Sequence, residues 1–218
     1  KKVIAGAVSG ALFALAPNAH ATNGDQMLGV TATQWGMGGA VVAAPQDAAT
    51  TMYNPAGLAT LGIKDVRFDM GVGLLNPPRQ VNDRDSDSDY YLMPAGAAAF
   101  NVDDSLYLGM TMGGISGSGV DFADVLPAAP GATAVVTTKQ SYKIVPGFGY
   151  KVSDQLSIGA ALQIGYQSLA MYNGMAGPLT LPQTQVYGYG MNAGLIYKVN
   201  NAVQLGASWT SKTNMDEF

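Results

Sequence analysis

The chain has 218 residues, of which 48% are hydrophobic and only 12% charged, with a formal net charge of −4. A soluble globular surface usually carries about 25–35% charged residues, and a disordered chain lacks this much hydrophobic content, so neither class fits. The acidic balance argues against a nucleic-acid surface, and the absence of Cys rules out disulfides and thiol chemistry.

Residues 1–21 read as a secretory signal peptide. Lys1 and Lys2 precede the apolar stretch Val3 to Ala16, and Ala19-His20-Ala21 supplies a small-residue cleavage site. Cleavage after Ala21 removes the only histidine. Without imidazole or thiol, Ser-His-Asp, Cys-His and His–zinc sites are excluded, and an enzyme would lack its usual base. Beyond the signal no run of about 20 apolar residues is long enough for a membrane-spanning helix.

Residues 22–62 carry no strand pattern. Gly36-Met37-Gly38-Gly39-Ala40, Ala43-Ala44-Pro45-Gln46-Asp47-Ala48-Ala49-Thr50 and Tyr53-Asn54-Pro55-Ala56-Gly57-Leu58 combine small residues with helix-stop signals. That composition predicts short helices and turns packed in a confined space.

From residue 63 onward the pattern changes to period two. Seven strands are predicted, at about 65–76, 90–101, 105–115, 136–151, 155–168, 185–199 and 202–213. One unit recurs at Phe100, Tyr150 and Tyr197: an aromatic strand end, a short polar turn and a new alternating strand. Short turns at 102–104, 152–154 and 200–201 alternate with long loops at 77–89, 116–135 and 169–184, as in an outer-membrane barrel meander. Leu156, Ile158, Ala160, Leu162 and Ile164 share one face, and Ser157, Gly159, Ala161, Gln163 and Gly165 the other. Tyr187, Tyr189, Met191, Ala193, Leu195 and Tyr197 oppose Gly188, Gly190, Asn192 and Gly194, with tyrosines at both ends of the apolar row. The apolar face suits lipid with aromatic girdles, and the Gly-, Ser-, Gln- and Thr-rich face suits a lumen. Seven strands cannot close an even-numbered barrel, so the chain is expected to be the N-terminal part of a longer one. The fold class is therefore all-β: an antiparallel transmembrane β-barrel, with residues 63–218 as its first half.

Other constellations are weaker. Asp83, Asp85 and Asp87 have the spacing of the first ligands of a calcium loop, but the required Gly is missing and Pro94 stands at the twelfth position. Loop 83–89 is better read as a solvated acidic loop, and neither metal nor cofactor is expected. Arg67 and Asp69 face inward and could form an ion pair in the lumen that steadies residues 22–62, or could simply be solvated there. Gly113, Gly114 and Gly117 in the third strand would permit a kink, or mark the start of a plain outer loop. Met171, Met175, Leu179 and Leu181 give the last long loop a soft apolar surface for capturing ligand.

Asn23-Gly24, Trp35-Gly36-Met37-Gly38-Gly39-Ala40, Pro45-Gln46-Asp47-Ala48 and Asn54-Pro55-Ala56-Gly57-Leu58 resemble the long-chain fatty acid transporter family of outer-membrane proteins (FadL/TodX type). The likeness continues to Leu205-Gly206-Ala207-Ser208-Trp209-Thr210-Ser211-Lys212-Thr213. It implies a barrel of about fourteen strands whose residues 22–62 fold inside as a hatch. By that resemblance Asn54, Pro55 and Ala56 form the hatch motif, and a kink in the third strand gives a lateral exit. The implied partners are hydrophobic small molecules, long-chain fatty acids or hydrocarbons, and outer-membrane lipid, with a full-length monomer. The alternatives are a porin for general small-solute diffusion and an uptake channel for aromatic hydrocarbons.

Overall fold

The computed structural model describes residues 26–81, 83–123, 135–173 and 179–218, so the signal-peptide expectation and Met175 lie outside the described residues. Its strands are β1 (Val66–Leu75), β2 (Gln80–Val81), β3 (Arg84–Asp85), β4 (Tyr91–Asn101) and β5 (Leu106–Asp121). These are followed by β6 (Val135–Lys151), β7 (Leu156–Asn173), β8 (Leu179–Asn200), β9 (Val203–Thr210) and β10 (Asn214–Met215). β1, β4, β5, β6, β7 and β8 pair in that order, and β9 and β10 both pair with β8, all antiparallel. Thr210 stands opposite Asn192 and Asn214 opposite Tyr189, so β9 and β10 are one strand interrupted by an extra residue. Among the described residues the wall is a single seven-strand meander, while β2 and β3 make a small separate hairpin.

The recurring polar turns close by side-chain capping. Asp103 Oδ1 accepts from the amides of Ser105 and Leu106, both at 2.8 Å. Ser153 Oγ accepts from Gln155 and Leu156, and Asn200 Oδ1 from Ala202. A short polar side chain that satisfies the backbone two or three residues on is what lets so tight a turn reverse a strand.

Alternation assigns the two faces. Phe68 is 70% and Met70 88% exposed, and Ile158, Leu162, Tyr187, Met191, Leu195, Leu205 and Trp209 are also exposed. Their opposite-parity neighbours Ala97, Ala99, Thr111, Ala161, Gln163 and Asn192 are buried. Tyr187 and Tyr197, both exposed, stand at the two ends of the apolar row on β8. Ten residues of strand tilted by about 40° rise about 25 Å, the height of the apolar band of an outer-membrane barrel.

Residues 26–62 lie against the inner face. A short helix (Ala32–Gly36) and two 3-10 turns (Ala48–Met52 and Pro55–Thr60) are their regular elements. The helix is capped by Thr31, whose side chain accepts from the Gln34 amide, and it is followed by Gly38 and Gly39 at positive φ. At Gly39 (φ +79°) a side chain would also strike the Leu28 carbonyl. The buried core joins the two layers: Ala48, Ala49, Met52 and Leu58 meet Ala95, Ala97, Ala99, Val145 and Ala161.

The same contacts require curvature. A flat sheet would separate β1 from β9 by about 29 Å, six spacings of about 4.8 Å. Yet the Ala43 carbonyl accepts from Gln204 of β9 and the Ala48 amide donates to Asp69 of β1. Five residues of chain reach at most about 18 Å, and the Gln204 and Asp69 side chains would stand roughly perpendicular to a flat sheet, adding little reach across it. The sheet therefore curls around the segment, which occupies its concave side.

Three expectations about loops are corrected. β5 continues to Asp121, well into the expected loop 116–135, and the expected loop 77–89 contains the β2–β3 hairpin. The loop read as 169–184 is largely strand: β7 runs to Asn173, β8 starts at Leu179, and Met171 pairs with Leu181. Met171, Leu179 and Leu181 are thus strand residues, not parts of a capture loop. The ladder extends because backbone groups near a strand end gain partners by continuing to pair, whatever the side-chain composition.

Candidate functional site

Asn54 is the centre of the seated segment. It is fully buried, and Pro55 follows it at the first position of the second 3-10 turn, where proline has no amide to leave unpaired. Its Oδ1 accepts from the Ala56 amide at 3.2 Å, capping that turn. Its Nδ2 donates to Val42 O at 2.7 Å and to Leu195 O, on β8, at 3.1 Å. One side chain therefore caps a turn, ties two stretches of the segment together and fixes both to the wall. The wall is cut to fit: a Cβ at Gly194 would overlap Asn54, and one at Gly159 would overlap the backbone of Pro55 and Ala56. Gly149 and Gly109 leave equivalent room for Leu58.

A second tie runs through the polar residues of the inner face. Lys143 Nζ donates to Gln163 Oε1 at 2.6 Å, and Gln163 Nε2 donates to Asn192 Oδ1. Asn192 Nδ2 then donates to Thr51 O at 3.1 Å and Met52 O at 2.9 Å. Thr51 and Thr111 add a buried hydroxyl pair at 2.6 Å. Four strands, β5 to β8, are thereby linked through side chains to the first 3-10 turn.

At β1, Arg67 Nε pairs with Asp69 Oδ2 at 2.7 Å, and a second Arg67 nitrogen donates to Gln46 O at 2.8 Å. Asp69 Oδ2 also accepts from the Ala48 amide at 2.8 Å, so the pair clasps both sides of Asp47. Buried Asp47 accepts from Thr31 Oγ1 and Gln34 Nε2, locking the short helix to this point. Burial, and secondarily the Asp47 carboxylate, pushes the Tyr53 phenol up to about 12.

Above the seat the wall opens. β4 pairs with β5 only from Ala95↔Gly113 to Asn101↔Tyr107, although it pairs with β1 up to Tyr91. β5 instead follows β6, with a bulge between Gly114 and Ser116. From the lumen side the Met27 amide donates to Ile115 O in that bulge at 2.8 Å. A cleft of about 440 Å³ adjoins it, lined by Lys139, Lys143 and Lys212 together with Ser141, Gln167 and Thr213.

The structure thus brings Asn54, Pro55 and Ala56 onto the inner wall, joins Arg67 to Asp69, and sets Gly113 and Gly114 at the point where two strands separate. Gly117 lies further along β5, paired with Gln140. Met171 and Leu181 sit far along β7 and β8, away from this assembly. Sequence reasoning did not select Gln163, Asn192, Thr111 or Lys143. Their signal was available: amides on a face otherwise built of Gly and Ala need buried partners.

A family model described as outer membrane protein transport protein (OMPP1/FadL/TodX) matches residues 12–217. The chain belongs to that family. Among solved structures it is similar to a FadL homologue of Pseudomonas aeruginosa, at 16% identity, with 87% of this chain and 53% of that one covered and a TM-score of 0.62. It is also similar to the Pseudomonas putida toluene transporter TodX, at 18% identity, 77% and 51% coverage and a TM-score of 0.61. A TodX deltaS2S3 mutant, a monoaromatic hydrocarbon channel, matches at 17% identity, 77% and 51% coverage and a TM-score of 0.63. The chain spans about half the length of these structures. No curated protein sequence matches it. Members of the OMPP1/FadL/TodX family are outer-membrane β-barrel transport proteins, not enzymes, and the seven-strand wall is part of such a barrel.

Proposed function

We propose that the full-length protein carries hydrophobic small molecules, long-chain fatty acids above all, across the outer membrane by binding inside the barrel and passing a hatch formed by residues 22–62. The barrel half is 63–218, its apolar face meets lipid, and the gap beside β5 serves as a lateral exit. One observation carries this reading: the segment around Asn54 fills the concave side of the wall and is hydrogen-bonded to β8. A general diffusion porin needs an open aqueous lumen, and such a filling works against it.

Fatty acids are favoured over neutral hydrocarbons by the cleft beside the bulge. Among the described residues its lining holds three lysines and no carboxylate, an arrangement suited to the anionic head of an amphipathic ligand. An aromatic-hydrocarbon channel, after the toluene transporter TodX, is the second reading. Isothermal titration of the purified full-length protein with oleate and with toluene decides between them. Oleate binding that weakens at least about tenfold in Lys143→Met supports the first reading, since a charge-assisted contact is worth roughly 1.5–3 kcal/mol. Toluene binding without oleate binding supports the second.

A further inference from the structure

Between Ala95 and the outer end of β4 lie Tyr91, Leu92, Met93 and Pro94, which pair with β1 but have no register with β5. Four residues of strand make an opening about 13 Å long. Beside it lies a recess of about 340 Å³ lined by Leu75, Leu92, Met93 and Tyr142 together with Lys139 and Gln140. At the outer rim the loop after β3 crosses to β5: Asp87 N donates to Asp121 O at 2.9 Å, and Asp121 N to Ser86 Oγ at 3.0 Å.

The Tyr91 side chain bridges the opening itself. Tyr91 Oη lies 2.8 Å from Gly119 O of β5 and 2.9 Å from Ser88 O of the loop. It also receives Arg79 at 2.6 Å and contacts Ser88 Oγ at 2.7 Å. A phenol has a single proton. It can donate to Gly119, binding β4 to β5, or to Ser88, leaving β5 tied on this side only at the rim, but not to both at once. Arg79 also stacks over the Tyr91 ring, with its Cζ 5.1 Å from the centroid, so the hydroxyl is held where both acceptors are in reach. Donation from a guanidinium polarises the hydroxyl and strengthens its own donated bond.

We propose that Tyr91 is the latch of this opening: its hydroxyl, held by Arg79, closes the wall when it donates to Gly119 and releases β4 from β5 when it turns to Ser88. Tyr91 is a positioning residue that sets how readily an apolar solute leaves sideways, and this rests on the transport reading given above. A carbonyl acceptor on each side of one proton gives two states close in energy, which a solute pressing into the recess can bias.

The test uses the full-length protein as the only such transporter in Gram-negative cells, with radiolabelled oleate as the probe. Tyr91→Phe keeps the ring and removes the proton. Oleate uptake is expected to rise about three- to tenfold, the factor one net hydrogen bond carries, with pentose leakage unchanged. In the purified protein the amides of residues 114–121 are expected to exchange faster. Arg79→Gln, outside the strands, should give a smaller rise in both, and serves if Tyr91→Phe fails to assemble. Unchanged exchange at 114–121 overturns the latch, and so does faster exchange without faster uptake. Wild-type cells that take up no oleate overturn the transport reading instead, and the exchange measurement then still decides whether Tyr91 holds the wall.

Discussion

Asn54 and Gly194 are in contact across the two layers, with no space for a Cβ between them, and the Asn54 amide reaches the adjacent Leu195 carbonyl at 3.1 Å. The wall position is glycine because the segment presses a polar side chain directly onto its backbone. Gly194→Ala should therefore unseat the segment while leaving the outward face unaltered. Overpacking of this kind costs about 1–3 kcal/mol. Limited proteolysis should cut residues 26–62 faster in the variant, while the barrel keeps its heat-modifiable mobility in electrophoresis. Equal protection in both proteins would show that the seat is looser than the contact implies.

Asn54→Asp separates capping from tethering. The carboxylate can still accept from the Ala56 amide but can no longer donate to Val42 O and Leu195 O. Two buried carbonyls then face an anion. The aspartate variant is expected to lose more protection of the segment than Asn54→Ala, whose lost cap alone costs about 1 kcal/mol. Hydrogen exchange over residues 48–60 ranks the two, and the opposite order would mean that the cap dominates.

The polar chain from Lys143 to the first 3-10 turn predicts non-additive substitutions. Gln163→Leu and Asn192→Leu each orphan the other's amide, and Asn192→Leu also leaves Thr51 O and Met52 O unpaired. Each buried group left so costs about 1–3 kcal/mol. The double variant should be less damaged than the sum of the two, by a coupling of about 0.5–3 kcal/mol in a double-mutant cycle. Additive losses would mean that the two amides act separately.

How much of this was readable from the chain differs by the range of the interaction. The turns at Asp103, Ser153 and Asn200 and the two faces of β7 and β8 follow from local composition and period two, so they were legible. The ties between Asn54 and Leu195 and between Asn192 and Thr51 span 141 residues each. They depend on the register of every intervening strand, which no local pattern fixes. The separation of β4 from β5 was half visible, as glycines at 113, 114 and 117. Which neighbour β5 would follow beyond Gly113 is decided by competing ladders. The extension of β7 and β8 to Asn173 and Leu179 was missed because Gly- and Pro-containing ends read as loop, although pairing continues beside them.

The clasp at β1 predicts unequal effects of its two partners. Arg67 and Asp69 are 35% and 25% exposed at the side chain, so their mutual attraction is screened and worth at most about 1 kcal/mol. Asp69 has a further duty, because it accepts from the amide of fully buried Ala48. Asp69→Ala is therefore expected to destabilise the segment more than Arg67→Ala. Asp69→Asn, which keeps an acceptor for that amide, should recover most of the difference in urea titration of segment protection. Equal losses from the two alanine variants would place the energy in the ion pair.

Tyr53 gives the segment a dependence on alkaline pH. Burial first, and then the Asp47 carboxylate, raises its phenol to about 12 in the folded protein, against about 10 for an unfolded tyrosine. The folded state thus holds the proton more tightly. The associated stability is fully present below about pH 10 and is lost as pH rises through the folded value, since the unfolded chain ionises first. Wild-type protein should lose exchange protection over residues 48–60 between about pH 10 and 12. Tyr53→Phe cannot ionise and should retain that protection through the window, leaving only the titration of the remaining groups. If both proteins lose the segment at the same pH, its alkaline release comes from elsewhere, and the Tyr53 hydroxyl is solvated more than its position beside Asp47 implies.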